Sequence, residues 1–121
     1  MIHEVDLEFD IIVEDGSVHV SVSIGDGQIG GSSMKLDGEA VGPVGEISNF
    51  RVGEASDLVG RKLAIRTLVA DMSDRHNWTS VTYQLKTPTR LPPIKAKKEV
   101  ENDQEAVRYN TTFIFVREKT S

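Results

Sequence analysis

Cysteine is absent from the 121 residues. Its absence excludes disulfides, thiolate metal sites and a cysteine nucleophile, and it suits a reducing, cytoplasmic compartment. Long apolar runs are missing too. No stretch approaches the roughly 18 residues of a membrane-spanning helix, and no basic-then-apolar signal segment opens the chain. The expectation is a cytoplasmic protein with no membrane partner. Glycine is missing from the second half, since all ten glycines lie at or before Gly60. Basic residues are scarce in the first half. Residues 1–60 carry 12 acidic and 2 basic side chains, a balance of −10, whereas residues 61–121 carry 7 and 12, a balance of +5. Such a balance speaks of solubility and partner choice rather than fold, and it pairs the two halves in space.

The length suits one domain over residues 1–121, able to bury roughly two-thirds of its unfolded surface. Hydrophobic content of 38% and charged content of 27% belong to a globular chain. The most legible stretch is residues 4–24. Val5, Leu7, Phe9, Ile11 and Val13 alternate with acidic residues, then Asp15-Gly16 intervenes, then Val18, Val20, Val22 and Ile24 alternate with Ser and His. Period-two alternation around Asp-Gly predicts a hairpin, with Val13 opposite Val18, Ile11 opposite Val20, Phe9 opposite Val22 and Leu7 opposite Ile24.

Further along, Gly25-Asp26-Gly27-Gln28-Ile29-Gly30 has the spacing of a dinucleotide-binding loop. No helical pattern follows it to hold a pyrophosphate, so it reads as a loop between strands. Asp37-Gly38 predicts a second, short hairpin, which Gly42 and Pro43 interrupt. Residues 47–52 read as a strand and residues 54–60 as one helical turn closed by glycine. Residues 63–70 alternate with few charges, as a central strand does. Residues 79–85 pair back on them, with Val69 opposite Thr79 and Ile65 opposite Tyr83. Residues 87–93, with three prolines, read as a crossover between sheets. Residues 94–100 and 107–116 pair around Asp103-Gln104, with Val100 opposite Val107 and Ile94 opposite Phe113; a helix over residues 95–107 is the competing reading. These elements predict an all-β fold, a two-sheet antiparallel β-sandwich of seven or eight strands, with a closed β-barrel as the alternative.

Chemistry is harder to find. His3, His19 and His76 share no ligand spacing, and no serine sits in a nucleophile-elbow pattern. The 71–77 loop gathers Asp71, Asp74, His76 and Asn77, oxygen-rich ligands of the kind calcium takes, with Asp26 or Asp103 available from neighbouring loops. The same residues are ordinary turn formers. Trp78, the only tryptophan, follows that loop and turns away from the Thr79–Leu85 face, in a packed or rim position or as a partner anchor. Glu4, Asp6, Glu8 and Asp10 form a carboxylate row. It is tolerable in water, and it faces either Lys95, Lys97 and Lys98 within the fold or a basic partner outside it. Three lysines on a chain of pI near 5.1 are too few for nucleic acid.

The expectation is therefore a non-catalytic protein-binding or accessory module that needs no cofactor, with Glu4, Asp6, Glu8, Asp10 and Trp78 toward a protein partner or a second copy. A calcium-dependent binding domain, for carbohydrate, is the alternative, with Asp71, Asp74, His76 and Asn77 as ligands. A hydrolase whose site assembles only in three dimensions is the third.

Overall fold

Alternating side chains sort onto two sheets that face each other across one apolar core. The computed structural model describes residues 2–25, 28–71, 78–87, 91–100 and 106–117. Among them are nine strands: β1 (Ile2–Val13), β2 (Ser17–Ile24), β3 (Gln28–Leu36), β4 (Glu39–Gly45), β5 (Ile47–Glu54), β6 (Lys62–Asp71), β7 (Trp78–Lys86), β8 (Ile94–Glu99) and β9 (Ala106–Arg117). One helical turn, α1 (Ala55–Leu58), lies between β5 and β6, and Gly60 closes it at φ +85°. The five-stranded sheet runs β1-β9-β6-β3-β4 and the four-stranded sheet β5-β2-β7-β8. Both sheets are open, so the architecture is a β-sandwich and not a closed barrel. β4 and β5 are weak in the sequence but both form, which brings the number of strands to nine. Neighbours are antiparallel except β1 and β9, which run parallel from Ile2 opposite Ala106 to Val13 opposite Arg117.

The faces are as the alternation predicts. Leu63, Ile65, Thr67 and Val69 of β6 are buried while Lys62, Ala64, Arg66 and Leu68 are exposed, and β6 is the middle strand of its sheet. The pairing is not as predicted. β1 does not pair with β2, which lies in the other sheet between β5 and β7. β6 does not pair with β7, and β8 does not pair with β9; each of these connections also crosses between sheets. Conversely, residues 87–93, expected to cross, join β7 to β8 within one sheet. There Leu91 N donates to Leu85 O at 3.0 Å and Gln84 Nε2 to Leu91 O at 2.5 Å. A strand, not a helix, occupies Ile94–Glu99.

The two Asp-Gly pairs show why. In Asp37-Gly38 both residues have positive φ, +48° and +87°, the backbone of a two-residue type I′ turn. The expected hairpin follows, with Met34 opposite Val41 and Leu36 opposite Glu39. The Asp37 carboxylate accepts from Arg61 Nε at 2.7 Å and Lys62 N at 2.9 Å, and the guanidinium, then the backbone amide, hold its pKa below the usual range. In Asp15-Gly16 only Gly16 has positive φ, +128°. Backbone groups in and before it bond elsewhere: Ala55 N donates to Gly16 O at 2.7 Å, and Glu14 N, one residue earlier, to Thr87 O at 2.9 Å. The chain therefore turns from one sheet to the other. Pro43 does not end its strand, because β4 is a sheet edge where a missing N–H costs no ladder bond; the register shifts once between Ser32 and Met34.

The core is centred on Phe113, whose ring lies 5.9 Å from Phe9 and 5.4 Å, edge-on, from Tyr83. Three hydroxyl pairs are buried with it. Tyr83 Oη lies 2.7 Å from Thr111 Oγ1, Tyr109 Oη 2.7 Å from Thr79 Oγ1, and Ser32 Oγ 2.8 Å from Thr67 Oγ1. Each of these six buried hydroxyls thereby has a partner. Burial raises the pKa of both phenols, and the threonine hydroxyls offset only part of the rise. A folded-state pKa above the unfolded value of about 10 stabilises the fold fully below that pH, and the contribution is lost as pH climbs through the raised value. Since these are the chain's two tyrosines, phenolate absorbance should appear late and in step with the loss of the β dichroism signal. Ionisation of one tyrosine near pH 10 in protein that is still folded would contradict its placement.

Candidate functional site

The outer face of the five-stranded sheet is built from the outward residues of four adjacent strands, and their register writes its chemistry. Across the sheet, Ile2, Ala106, Ala70 and Ile29 form one row; Glu4, Arg108, Leu68 and Gly31 form the next. Then come Asp6, Asn110, Arg66 and Ser33, followed by Glu8, Thr112, Ala64 and Lys35. The face thus grades from carboxylates on the β1 edge to cations on β6 and β3, and from apolar at one end to charged at the other.

Glycine shapes the apolar end. Gly30 and Gly31, expected in or beside a loop, lie inside β3, and an added Cβ on Gly31 would stand 3.2 Å from Gly45 Cα on β4. With no side chains there, the sheet is thin. A groove of about 540 Å³ lies over it, walled by Ile29, Val44, Leu68, Ala70 and Ala106 and flanked by Arg66 and Arg108. Ile29 is 60% exposed, Val44 83% and Leu68 40%. A second cleft of about 340 Å³ opens beneath the same glycines toward Val22, Ile24 and Ser32. Beside the groove a recess of about 130 Å³ is lined by Ser33, Lys35, Arg66, Asn110 and Thr112. Among the described residues, Arg66 and Lys35 have no ion-pair partner, and both present their charge to solvent.

The carboxylate row lies on the outer face of β1, as the alternation requires. Glu4 accepts from Arg108 Nη1 at 2.6 Å and Asp6 from Asn110 Nδ2 at 2.9 Å, so β9 engages half of the row. Lys95, Lys97 and Lys98 do not face it within the chain, because β8 belongs to the other sheet. Trp78 begins β7 on the outer face of the four-stranded sheet and is 45% exposed, at the rim. Its backbone is held by Gln28, which donates to Trp78 O at 3.1 Å and accepts from Ser80 N at 2.9 Å. The structure therefore separates Trp78 from the carboxylates. Asp74, His76, Asn77, Asp26 and Asp103 lie outside the described residues, as does the side chain of Asp71. Among the described residues, no group of three or more His, Asp or Glu side chains is placed to hold a metal ion, and no helix is long and apolar enough to cross a membrane.

Sequence reasoning missed the groove. Its signal was Leu68, an apolar residue on the polar face of β6, together with Ile29 and Val44 in glycine-rich surroundings. No family model, no curated protein and no solved structure matches this chain.

Proposed function

We propose that the protein is a non-catalytic protein-binding module that engages its partner with the outer face of the five-stranded sheet. The observation that carries this reading is the co-location of Ile29, Val44 and Leu68, all exposed, over a glycine-floored groove with arginines at its rim. Exposed apolar patches rimmed by polar residues are a mark of interaction sites, and arginine is enriched in protein interfaces. The free cations Arg66 and Lys35 favour a partner that brings apolar side chains with carboxylates beside them. The buried hydroxyls, by contrast, are used up in bonding one another within the core. A cytoplasmic location belongs to the same proposal and rests on the absence of cysteine.

The test is quantitative binding to a partner captured with the wild-type chain. Leu68→Glu and Val44→Glu should each weaken binding at least about tenfold, as loss of a central apolar contact does. Lys86→Glu, on the outer face of the other sheet, should leave binding unchanged. Full binding by both groove variants, with dichroism showing them folded, would rule the face out. Loss on Trp78→Ala alone would move the interface to the four-stranded sheet.

A further inference from the structure

β1 and β8 are edge strands of different sheets, and they lie on the same flank of the sandwich. β9, the neighbour of β1, packs on β7, the neighbour of β8, through Tyr83 against Phe113 and Thr79 against Tyr109. On the opposite flank β4 runs into β5 through Glu46. Because Thr79 meets Tyr109 and Tyr83 meets Thr111, β7 and β9 run the same way. β8 is antiparallel to β7 and β1 is parallel to β9, so β1 and β8 run in opposite directions.

Both strands are incompletely covered. On the inward face of β1, Val5, Leu7 and Phe9 are only half-buried, whereas Ile11 and Val13 are buried; on β8, Ile94 and Ala96 are half-buried. Both strands also carry unspent charge on their outward faces. Glu8 and Asp10 on β1, and Lys95 and Lys97 on β8, have no partner among the described residues.

We propose that two copies of this chain join along this flank, β1 of each adding to β8 of the other about a two-fold axis parallel to the strands. Such a rotation preserves strand direction, so the new ladders are antiparallel and each sheet continues into a sheet of the partner subunit. Both strands alternate with period two, and one register matches the free charges. Glu8 lies opposite Lys97 of the partner subunit and Asp10 opposite Lys95 of the partner subunit. The same register places Phe9 against Ala96 of the partner subunit and the already buried Ile11 against Ile94 of the partner subunit, so Phe9, Ile94 and Ala96 gain cover, while Leu7 falls opposite Lys98 of the partner subunit. One like-charge pair, Asp6 with Glu99 of the partner subunit, falls at the end of the ladder, where Asp6 is already held by Asn110. Other edge pairings are disfavoured. β1 against β1 sets carboxylates beside carboxylates, and β8 against β8 sets lysines beside lysines. Among the pairings of this flank, charge leaves β1 against β8 as the one in which unlike signs meet.

The inference uses a different surface from the groove and stands whether or not the groove binds a partner. Sedimentation equilibrium of the full chain at low salt should show a dimer that weakens as salt is added. Glu8→Lys with Asp10→Lys, and separately Lys95→Glu with Lys97→Glu, should each weaken self-association at least about tenfold. Mixing the two double variants should restore a dimer, because each ladder then joins unlike charges; carrying all four changes on one chain should restore it as well. Leu68→Glu should leave the dimer intact. A wild-type chain that is monomeric throughout the concentration series would overturn the proposal. A dimer indifferent to both double variants, or variants that do not recover on mixing, would overturn it equally.

Discussion

Phe113→Ala is expected to lower the unfolding free energy by about 3–5 kcal/mol, the range for deleting a fully buried aromatic ring. Phe113 has no exposed surface, and it contacts β1 through Phe9 and the opposite sheet through Tyr83. Its ring therefore ties together three strands from both sheets, and no neighbour can collapse into the space without separating them. Phe9→Ala should cost roughly half as much, because the Phe9 ring is half-buried at the sandwich flank and loses less area. Glu8→Ala, one residue away on the outer face, should stay within about 0.5 kcal/mol. Urea unfolding of the three variants measures the differences as shifts in midpoint at constant slope. The order matters more than the values. In a hairpin of β1 and β2, Phe9 would sit at the centre of the inward face and its loss would match or exceed that of Phe113. That result would sink the strand order described above.

Gly30→Ala is expected to be the most damaging single-methyl change in the protein, at about 2–4 kcal/mol. A Cβ there would stand 1.9 Å from the carbonyl oxygen of Leu68 and 2.9 Å from its carbon, both backbone atoms of β6. Side chains can rotate away from a new methyl group, but a paired backbone can yield only if β3 moves off β6. That movement breaks the ladder that sets Gly30 opposite Val69 and Gly31 opposite Leu68. It also lifts the floor of the groove, so partner binding should fall with stability. Gly53→Ala is the control. A Cβ there meets only the Leu58 side chain at 3.5 Å and beyond, an ordinary contact, and the change should fall within about 1 kcal/mol of neutral. If Gly30→Ala unfolds at the wild-type midpoint, the β3–β6 register is wrong.

The candidate face shows how far local reading reaches. The carboxylates of β1 were legible as an outward row because alternation alone puts Glu4, Asp6, Glu8 and Asp10 on one side. Their engagement by Arg108 and Asn110 was not legible, because those residues lie 104 positions away on a strand that pairs in parallel. The groove was hidden for a related reason. Ile29, Val44 and Leu68 come from three strands, and each is unremarkable alone, since single exposed apolar residues are common. Only the register of β4, β3 and β6 gathers them over the glycines.

By itself the sequence determined most of the strand segments and which side of each is buried, the helical turn at Ala55–Leu58 and the tight hairpin at Asp37-Gly38, but not that β3 starts at Gln28 or that β4 runs through Pro43. These follow from side-chain alternation and from dihedral preferences, both of which act within a few residues. The tertiary structure alone decided which strand lies beside which. Val13 facing Val18, or Ile65 facing Tyr83, buries the same apolar surface whether two strands lie side by side in one sheet or face to face across two. Outside proline, backbone N–H and C=O groups are chemically alike from residue to residue, so they carry no record of their partner. The choice fell to turn geometry and to the whole set of contacts. Asp15-Gly16 adopted positive φ at one residue rather than two, its carbonyl went to Ala55, and β1 was left free to pair with the far end of the chain.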